Sequence, residues 1–193
     1  MTNIAIFASG NGTNAESIIR YFQHHPGIRT ALVVCNKPDA GVLKRAARYQ
    51  IPTKVFPSKV FKEDPEQILR ILKTYNIDFI ALAGFMLLLP KKLVYTYPDK
   101  IVNIHPALLP AYGGKGMYGD FVHQAVLDAK ESHSGISIHY VNEDYDDGNI
   151  IFQASCPVTP KDTVASLAKK VHALEHEHYP RVIEHIITQQ QKG

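Results

Sequence analysis

Short, unbroken apolar runs alternate with helical patterns through the first two-thirds of this chain, and that alternation limits the fold more than any other feature. Ile4–Ala8, Ala31–Cys35 and Phe79–Ala83 are continuous apolar stretches, joined by Ile101–Ile104 and the shorter Thr53–Phe56. Between them, Ala15, Ile18, Ile19 and Phe22, then residues 42–49, then Ile68, Leu69, Ile71 and Leu72 within 65–75 recur at helical spacing. A strand with no polar side must be covered on both faces, and parallel sheets achieve this with crossover helices. Right-handed crossovers point such strands the same way. The loops after Ala8, Ala83 and Ile104 are therefore expected along one sheet edge, where ligands bind in folds of this kind.

The last third changes character. Residues 106–119 form a loop rich in Gly, Pro and Tyr, 121–129 read as a helix, and 136–141 alternate like a half-exposed strand. Asp144–Gly148 reads as a turn, after which 150–157 returns as an antiparallel strand. Val164, Leu167, Ala168, Val171 and Leu174 form a helical stripe that Val182, Ile183, Ile186 and Ile187 extend. Pro180 lies between the two halves and predicts a kink or an interruption. The polar tail from Gln189 reads as frayed. No repeat or linker divides the chain, and 193 residues that are 45% hydrophobic suit one domain over 1–193 with one core. The expected class is α/β: a Rossmann-like, doubly wound, mostly parallel sheet with an antiparallel C-terminal strand and a long C-terminal helix.

Composition narrows the function. A net charge of +3 without clustered Lys and Arg gives no footprint for nucleic acid, but is compatible with an anionic small molecule. Cys35 and Cys156 lie far apart and offer neither a disulfide framework nor a zinc site, which suits a reducing compartment. The start of the chain lacks the basic and apolar regions of a signal peptide. No apolar run approaches the ~20 residues that span a bilayer, so no membrane partner is expected and the cytoplasm is the expected location.

Ser9-Gly10-Asn11-Gly12-Thr13-Asn14 joins the first strand to the first helix. Gly10 and Gly12 permit positive φ and close approach of a ligand, and Thr13 with Glu16 fits a capping box. Free N–H groups at a helix start favour an anion, so the segment reads either as a phosphate cradle or as a plain tight turn. No Lys follows the second Gly, so it is not a P-loop, and Ala15 breaks the full dinucleotide fingerprint.

Asn103 and His105 sit two apart at a strand end closed by Pro106, so their side chains share a face. An amide beside an imidazole suits acyl transfer, where donors stabilise a developing oxyanion and a histidine moves protons. The plainer reading is a buried Asn and a core His that only satisfy local backbone. Asp146, in the acidic turn Asp144-Tyr145-Asp146-Asp147-Gly148, would raise the pKa of a neighbouring His105 and fix its orientation. No Gly-x-Ser-x-Gly elbow supports a serine nucleophile, which leaves direct attack without a covalent enzyme intermediate.

These segments, with Ala83-Gly84-Phe85-Met86 and Asn103-Ile104-His105-Pro106-Ala107-Leu108-Leu109-Pro110, stand in the order of the folate-dependent formyltransferases, which the chain resembles from Ile4 to about Ile187. The glycine loop ending in Asn14 is similar to the branch that acts on glycinamide ribonucleotide, the third step of de novo purine biosynthesis. The resemblance implies formyl transfer from 10-formyltetrahydrofolate, as co-substrate and without metal, to the amine of phosphoribosylglycinamide. It implies a catalytic set of Asn103, His105 and Asp146. Gly12, Thr13 and Asn14 would hold the substrate phosphate, and Glu175 the ribose side. Met86, Leu87, Leu88 and Leu89 would line the folate pocket with Phe85 nearby. Asn103 would border the folate, and Asn142, Glu143, Asp144, Tyr145 and Asp146 would wrap the pterin. In this scheme Asp146 keeps His105 charged. The assembly is left as monomer or homodimer.

The chain departs from the family pattern in places. Leu87 stands where many bacterial members carry Arg, Ala107 replaces a frequent Ser, the 111–119 loop is long, and histidines often seen after it are replaced around Asp120-Phe121. The alternatives are another folate-linked enzyme, such as a formyl-folate hydrolase or a formyltransferase for a different amine, and a non-catalytic nucleotide-binding module. His172 and His176 are four apart but lack the H-E-x-x-H order of a zinc helix, so no metal is expected. His24 and His25 read as a surface helix end. His139 faces either Asp146 or water.

Overall fold

The computed structural model describes residues 1–192. Seven strands form one sheet: β1 (Thr2–Ala8), β2 (Ile28–Cys35), β3 (Thr53–Val55), β4 (Phe79–Leu82), β5 (Ile101–His105), β6 (His133–Tyr140) and β7 (Ile150–Pro157). Their spatial order is β3-β2-β1-β4-β5-β6-β7. The pairings among β1 to β5 are parallel. β6 is antiparallel to both its neighbours, so it is the reversed strand, and β7 again runs with the parallel set.

The helices are α1 (Thr13–Phe22), α2 (Gly41–Arg48), α3 (Ser58–Glu63), α4 (Pro65–Thr74), α5 (Lys91–Thr96), α6 (Asp120–Asp128) and α7 (Val164–Gln190). α3 and α5, at six residues each, are too short to show a helical period and have no counterpart in the sequence reading. The two faces of β1 follow its period of two. Ile4, Ile6 and Ala8 pack with Ile18 of α1 and Val171 and Ile183 of α7, whereas Ala5 and Phe7 pack with Ile68 and Leu72 of α4 and Leu93 of α5. Among the described residues, no helix is long and apolar enough to cross a membrane.

Three expectations are corrected. First, α7 runs 27 residues without interruption at Pro180. Proline removes the N–H that would bond to the carbonyl four residues back, that of His176. The Ser17 hydroxyl of α1 donates to that carbonyl instead, at 3.1 Å. Second, β6 is not half-exposed: Ser134 to His139 are all buried. Its polar residues alternate toward protein rather than water. The Ser137 hydroxyl donates to the Ala107 carbonyl (2.7 Å) and accepts from the Leu109 N–H (2.8 Å), which fastens the chain after β5. Third, the tail is pinned, since Gln190 donates to the Asp99 carbonyl (2.7 Å) and Gln191 to the Thr2 hydroxyl (2.8 Å); Gly193 lies outside the described residues.

Candidate active site

Strand order reverses between β1 and β4, which opens a crevice at the carboxyl ends of the strands. A cavity of about 700 Å³ occupies it, walled by the loops after β1 and β4, the end of β5, residues 114–120, the β6–β7 turn and α7. The three loops expected along one edge all reach it.

At one end lies the glycine loop. Gly12 caps α1 with φ 81°, and a Cβ there would meet Val42 Cβ at 2.6 Å, so both conformation and space demand glycine. The first helical bond runs from the Glu16 N–H to the Gly12 carbonyl (2.9 Å), which leaves the amides of residues 13–15 without intrahelical acceptors. The expected capping box does not form. Thr13 is already helical, and Glu16 pairs with Arg45 instead. A reciprocal box does start α7, between Thr163 and Ser166.

Glu175 closes this end from across the chain. Its Oε2 accepts from Asn14 Nδ2 (2.9 Å) and lies 2.7 Å from His172 Nδ1, although the carboxylate is almost wholly buried. That bond to Glu175 raises the His172 pKa, against the opposing effect of burial. One turn further on, the buried Tyr179 hydroxyl donates toward the Leu82 (2.8 Å) and Val102 (3.1 Å) carbonyls, which fixes α7 against the ends of β4 and β5. Asn14 Oδ1 is buried and has no hydrogen-bond partner among the described residues.

At the centre, Asn103, His105, His139 and Asp146 converge. Asn103 pairs with His139 across the β5–β6 register, and its Nδ2 lies 3.1 Å from His139 Nε2 and 3.3 Å from Asp146 Oδ1. His105 Nε2 is 2.7 Å from the Tyr112 carbonyl, which can only accept, so that nitrogen carries the hydrogen. His105 Nδ1 then faces Asp146 Oδ2 at 3.4 Å. The other contact of Asp146 Oδ2 is the Gly114 N–H at 3.0 Å. Asp146 itself has φ 54°, a left-handed conformation that Asp tolerates better than most residues.

The electrostatics correct one expectation. Burial lowers the His105 pKa, and the nearby Asp146 carboxylate and Tyr112 carbonyl only partly offset it. The net shift of His105 is thus downward, opposite to the rise that Asp146 alone would give. Burial pushes the Asp146 carboxyl up, but His139, the His105 imidazole and the Gly114 N–H together carry it below the ordinary carboxylate value.

The remaining candidates divide. Met86, Leu87, Leu88, Asp144 and Tyr145 line the cavity, and Met86 and Leu88 present exposed side chains. Leu89 also borders it but is buried in the core beneath, and Phe85 packs edge-on against Phe7 at 5.5 Å. The loop is held by backbone donors: Met86 N–H to Ser9 Oγ (2.9 Å) and Leu88 N–H to the Tyr145 hydroxyl (3.1 Å). Asn142 and Glu143 stand outside the lining. Asn142 accepts from the Asp144 N–H (3.0 Å), and Glu143 pairs with Lys91.

His139, left open between Asp146 and water, faces Asp146. His24 is exposed just past the end of α1, and His25 beside it lies 3.0 Å from Glu184. His123 was missed. It comes from the segment where family histidines looked replaced, is buried in the cavity wall, and has an Nδ1 without a partner among the described residues. A lone histidine on a short helix carries no sequence signal for that position.

Residues 2–183 match the formyl transferase family. The chain is 37% identical over 197 residues to the phosphoribosylglycinamide formyltransferase of Bacillus subtilis, covering 100% of this chain and 98% of that protein. It is 42% identical over 192 residues to the chloroplastic phosphoribosylglycinamide formyltransferase of Arabidopsis thaliana, covering 93% of this chain but 63% of the plant protein. The crystal structure of phosphoribosylglycinamide formyltransferase from Bacillus halodurans superposes with a TM-score of 0.89 at 36% identity, covering 98% of this chain and 97% of that one. With a full-length relative of this identity and a family match over nearly all its length, the chain belongs to the formyl transferase family, in its phosphoribosylglycinamide formyltransferase branch.

Proposed function

We propose that this chain transfers the formyl group of 10-formyltetrahydrofolate to the amine of phosphoribosylglycinamide, and that residues 1–193 act as one formyltransferase domain. The observation that carries the reading is the convergence of Asn103, His105 and Asp146 on the cavity that the Gly12–Asn14 turn also lines. The phosphate lies on the free amides that open α1, and Glu175 takes the ribose hydroxyls. The folate enters past Met86, Leu88 and Tyr145, whose exposed apolar surface suits a ring system and its linker.

The amine attacks the formyl carbon directly. A C–N bond forms and the carbonyl electrons move onto oxygen, which the Asn103 amide stabilises by exchanging its longer contact, the 3.3 Å one to Asp146, for the oxyanion. The oxyanion electrons then return to re-form the carbonyl as the bond from the formyl carbon to N10 breaks; the amine must lose a proton, and the departing folate N10 must gain one. Asp146 and the His105 Nδ1 lone pair face each other across 3.4 Å and receive that proton between them before it passes to N10. The lowered His105 pKa suits this role, because an uncharged imidazole has a lone pair to offer.

A reducing cytoplasmic location belongs to the same proposal, since the two cysteines are buried and unpaired. So does action as a monomer or homodimer on small molecules alone. The test is an assay with 10-formyltetrahydrofolate and phosphoribosylglycinamide. Formylated product is expected; transfer to another amine without product from this one rejects the substrate.

A further inference from the structure

Arg45 of α2 stands outside the cavity, yet its guanidinium is devoted to the loop that lines it. Nε donates to the Asn11 carbonyl at 2.8 Å, Nη2 to Asn11 Oδ1 at 3.2 Å, and Nη1 to the Glu16 carboxylate. From the first turn of α2, the Val42 N–H donates to the Gly10 carbonyl at 3.2 Å. The carbonyl of a planar trans peptide and its N–H point in opposite directions. Drawing the Gly10 and Asn11 carbonyls toward α2 therefore turns the Asn11 and Gly12 N–H groups away from it. Residues 10–14 all border the cavity.

Glu16 adds an electrostatic reason. It lies in the first turn of α1, where a carboxylate occupies the positive helix end that a phosphate also uses. Arg45 neutralises it at close range, whereas Arg48 reaches it only at 3.9 Å and is far more exposed. Loss of Arg45 would untether the Asn11 peptide and leave an uncompensated negative charge facing a dianion.

We propose that Arg45 is a positioning residue that sets affinity for the phosphate-bearing substrate without touching it, by holding the Asn11 peptide and neutralising Glu16. This rests on the reading of the Gly12–Asn14 turn as the phosphate cradle.

Steady-state kinetics on the full chain test it, with phosphoribosylglycinamide, its phosphate-free analogue and 10-formyltetrahydrofolate each varied in turn. Arg45→Met is expected to raise KM for the phosphorylated substrate about tenfold, as the loss of a charge-assisted bond implies. The kcat and the KM for the folate stay within about twofold, and the phosphate-free analogue is unaffected by the substitution. Arg45→Lys, which keeps the charge but not the fork, falls between, as does Glu16→Gln/Arg45→Met. Should Arg45→Met fold poorly, these two variants carry the same comparison. An unchanged KM for the phosphorylated substrate, or an equal rise for the folate, overturns the assignment of Arg45. If the parent protein itself makes no distinction between substrates with and without phosphate, the cradle reading fails whatever Arg45 does.

Discussion

The Ser17 hydroxyl lies 3.1 Å from the His176 carbonyl and donates to it, where Pro180 has removed the helical donor. One α1 side chain thus repairs the defect that proline makes in α7, and it does so next to Glu175. Ser17→Ala should lower stability by about 0.5–1.5 kcal/mol, the net worth of one hydrogen bond. Urea unfolding of the two proteins measures this, and equal midpoints would remove the repair from the account.

The proposed proton relay makes a kinetic prediction. His105→Ala and Asp146→Asn should each lower kcat by ~10²–10⁴-fold, the usual worth of general acid–base catalysis, with circular dichroism unchanged. Near-parental turnover in either variant would show that the pair moves no proton.

Acidity should weaken the fold through its buried histidines. His105 and His123 both have pKa values lowered by burial below the ordinary 6.5. The unfolded chain then binds protons more readily than the folded one between those values. Their contribution is fully present above pH 6.5 and is lost as pH falls through the lowered folded values. His172 is shifted the other way by Glu175, so its contribution is present below 6.5 and lost as pH rises through its raised value. His123→Gln should therefore show a smaller loss of stability than the parent between neutral and mildly acidic pH in paired denaturation curves. A parallel loss would contradict the burial argument.

Glu175 accepts from both Asn14 and His172 and borders the cavity. Glu175→Gln should raise KM for phosphoribosylglycinamide by about tenfold, as expected for losing charge-assisted bonds to hydroxyls, and leave KM for the folate unchanged. A change confined to the folate would place Glu175 on the wrong ligand.

The turn that carries Asp146 depends on Gly148. A Cβ at that position would lie 1.7 Å from the Tyr140 carbonyl oxygen, a backbone atom that cannot step aside. Gly148→Ala should cost about 3 kcal/mol or more, the upper range for overpacking, and should displace Asp146 as well. Thermal unfolding and activity together test this, and a parental midpoint would show that the hairpin has room to give.

The parallel core was legible because β1, β2 and β4 are apolar on both faces, a pattern that leaves little choice of fold. The Asn103–His105 spacing was legible for a similar reason, since period two places both on one side of β5. β6 misled because alternation reports only that two faces differ; it cannot say that Ser137 and His139 face buried protein partners instead of water. Pro180 misled because its compensation lies in α1, where Ser17 stands 159 positions from the His176 carbonyl that it bonds. The direction of the His105 shift was misjudged because the pull of Asp146 was visible in the residue types, whereas the depth of burial that outweighs it exists only in three dimensions.

The Asn14–Glu175 bond joins the first helix made to the last. Asn14 is made early in synthesis, whereas Glu175 follows 161 positions later. A ligand that engaged both residues would add its binding energy to the seam between α1 and α7, and so would raise the unfolding temperature as its concentration rises.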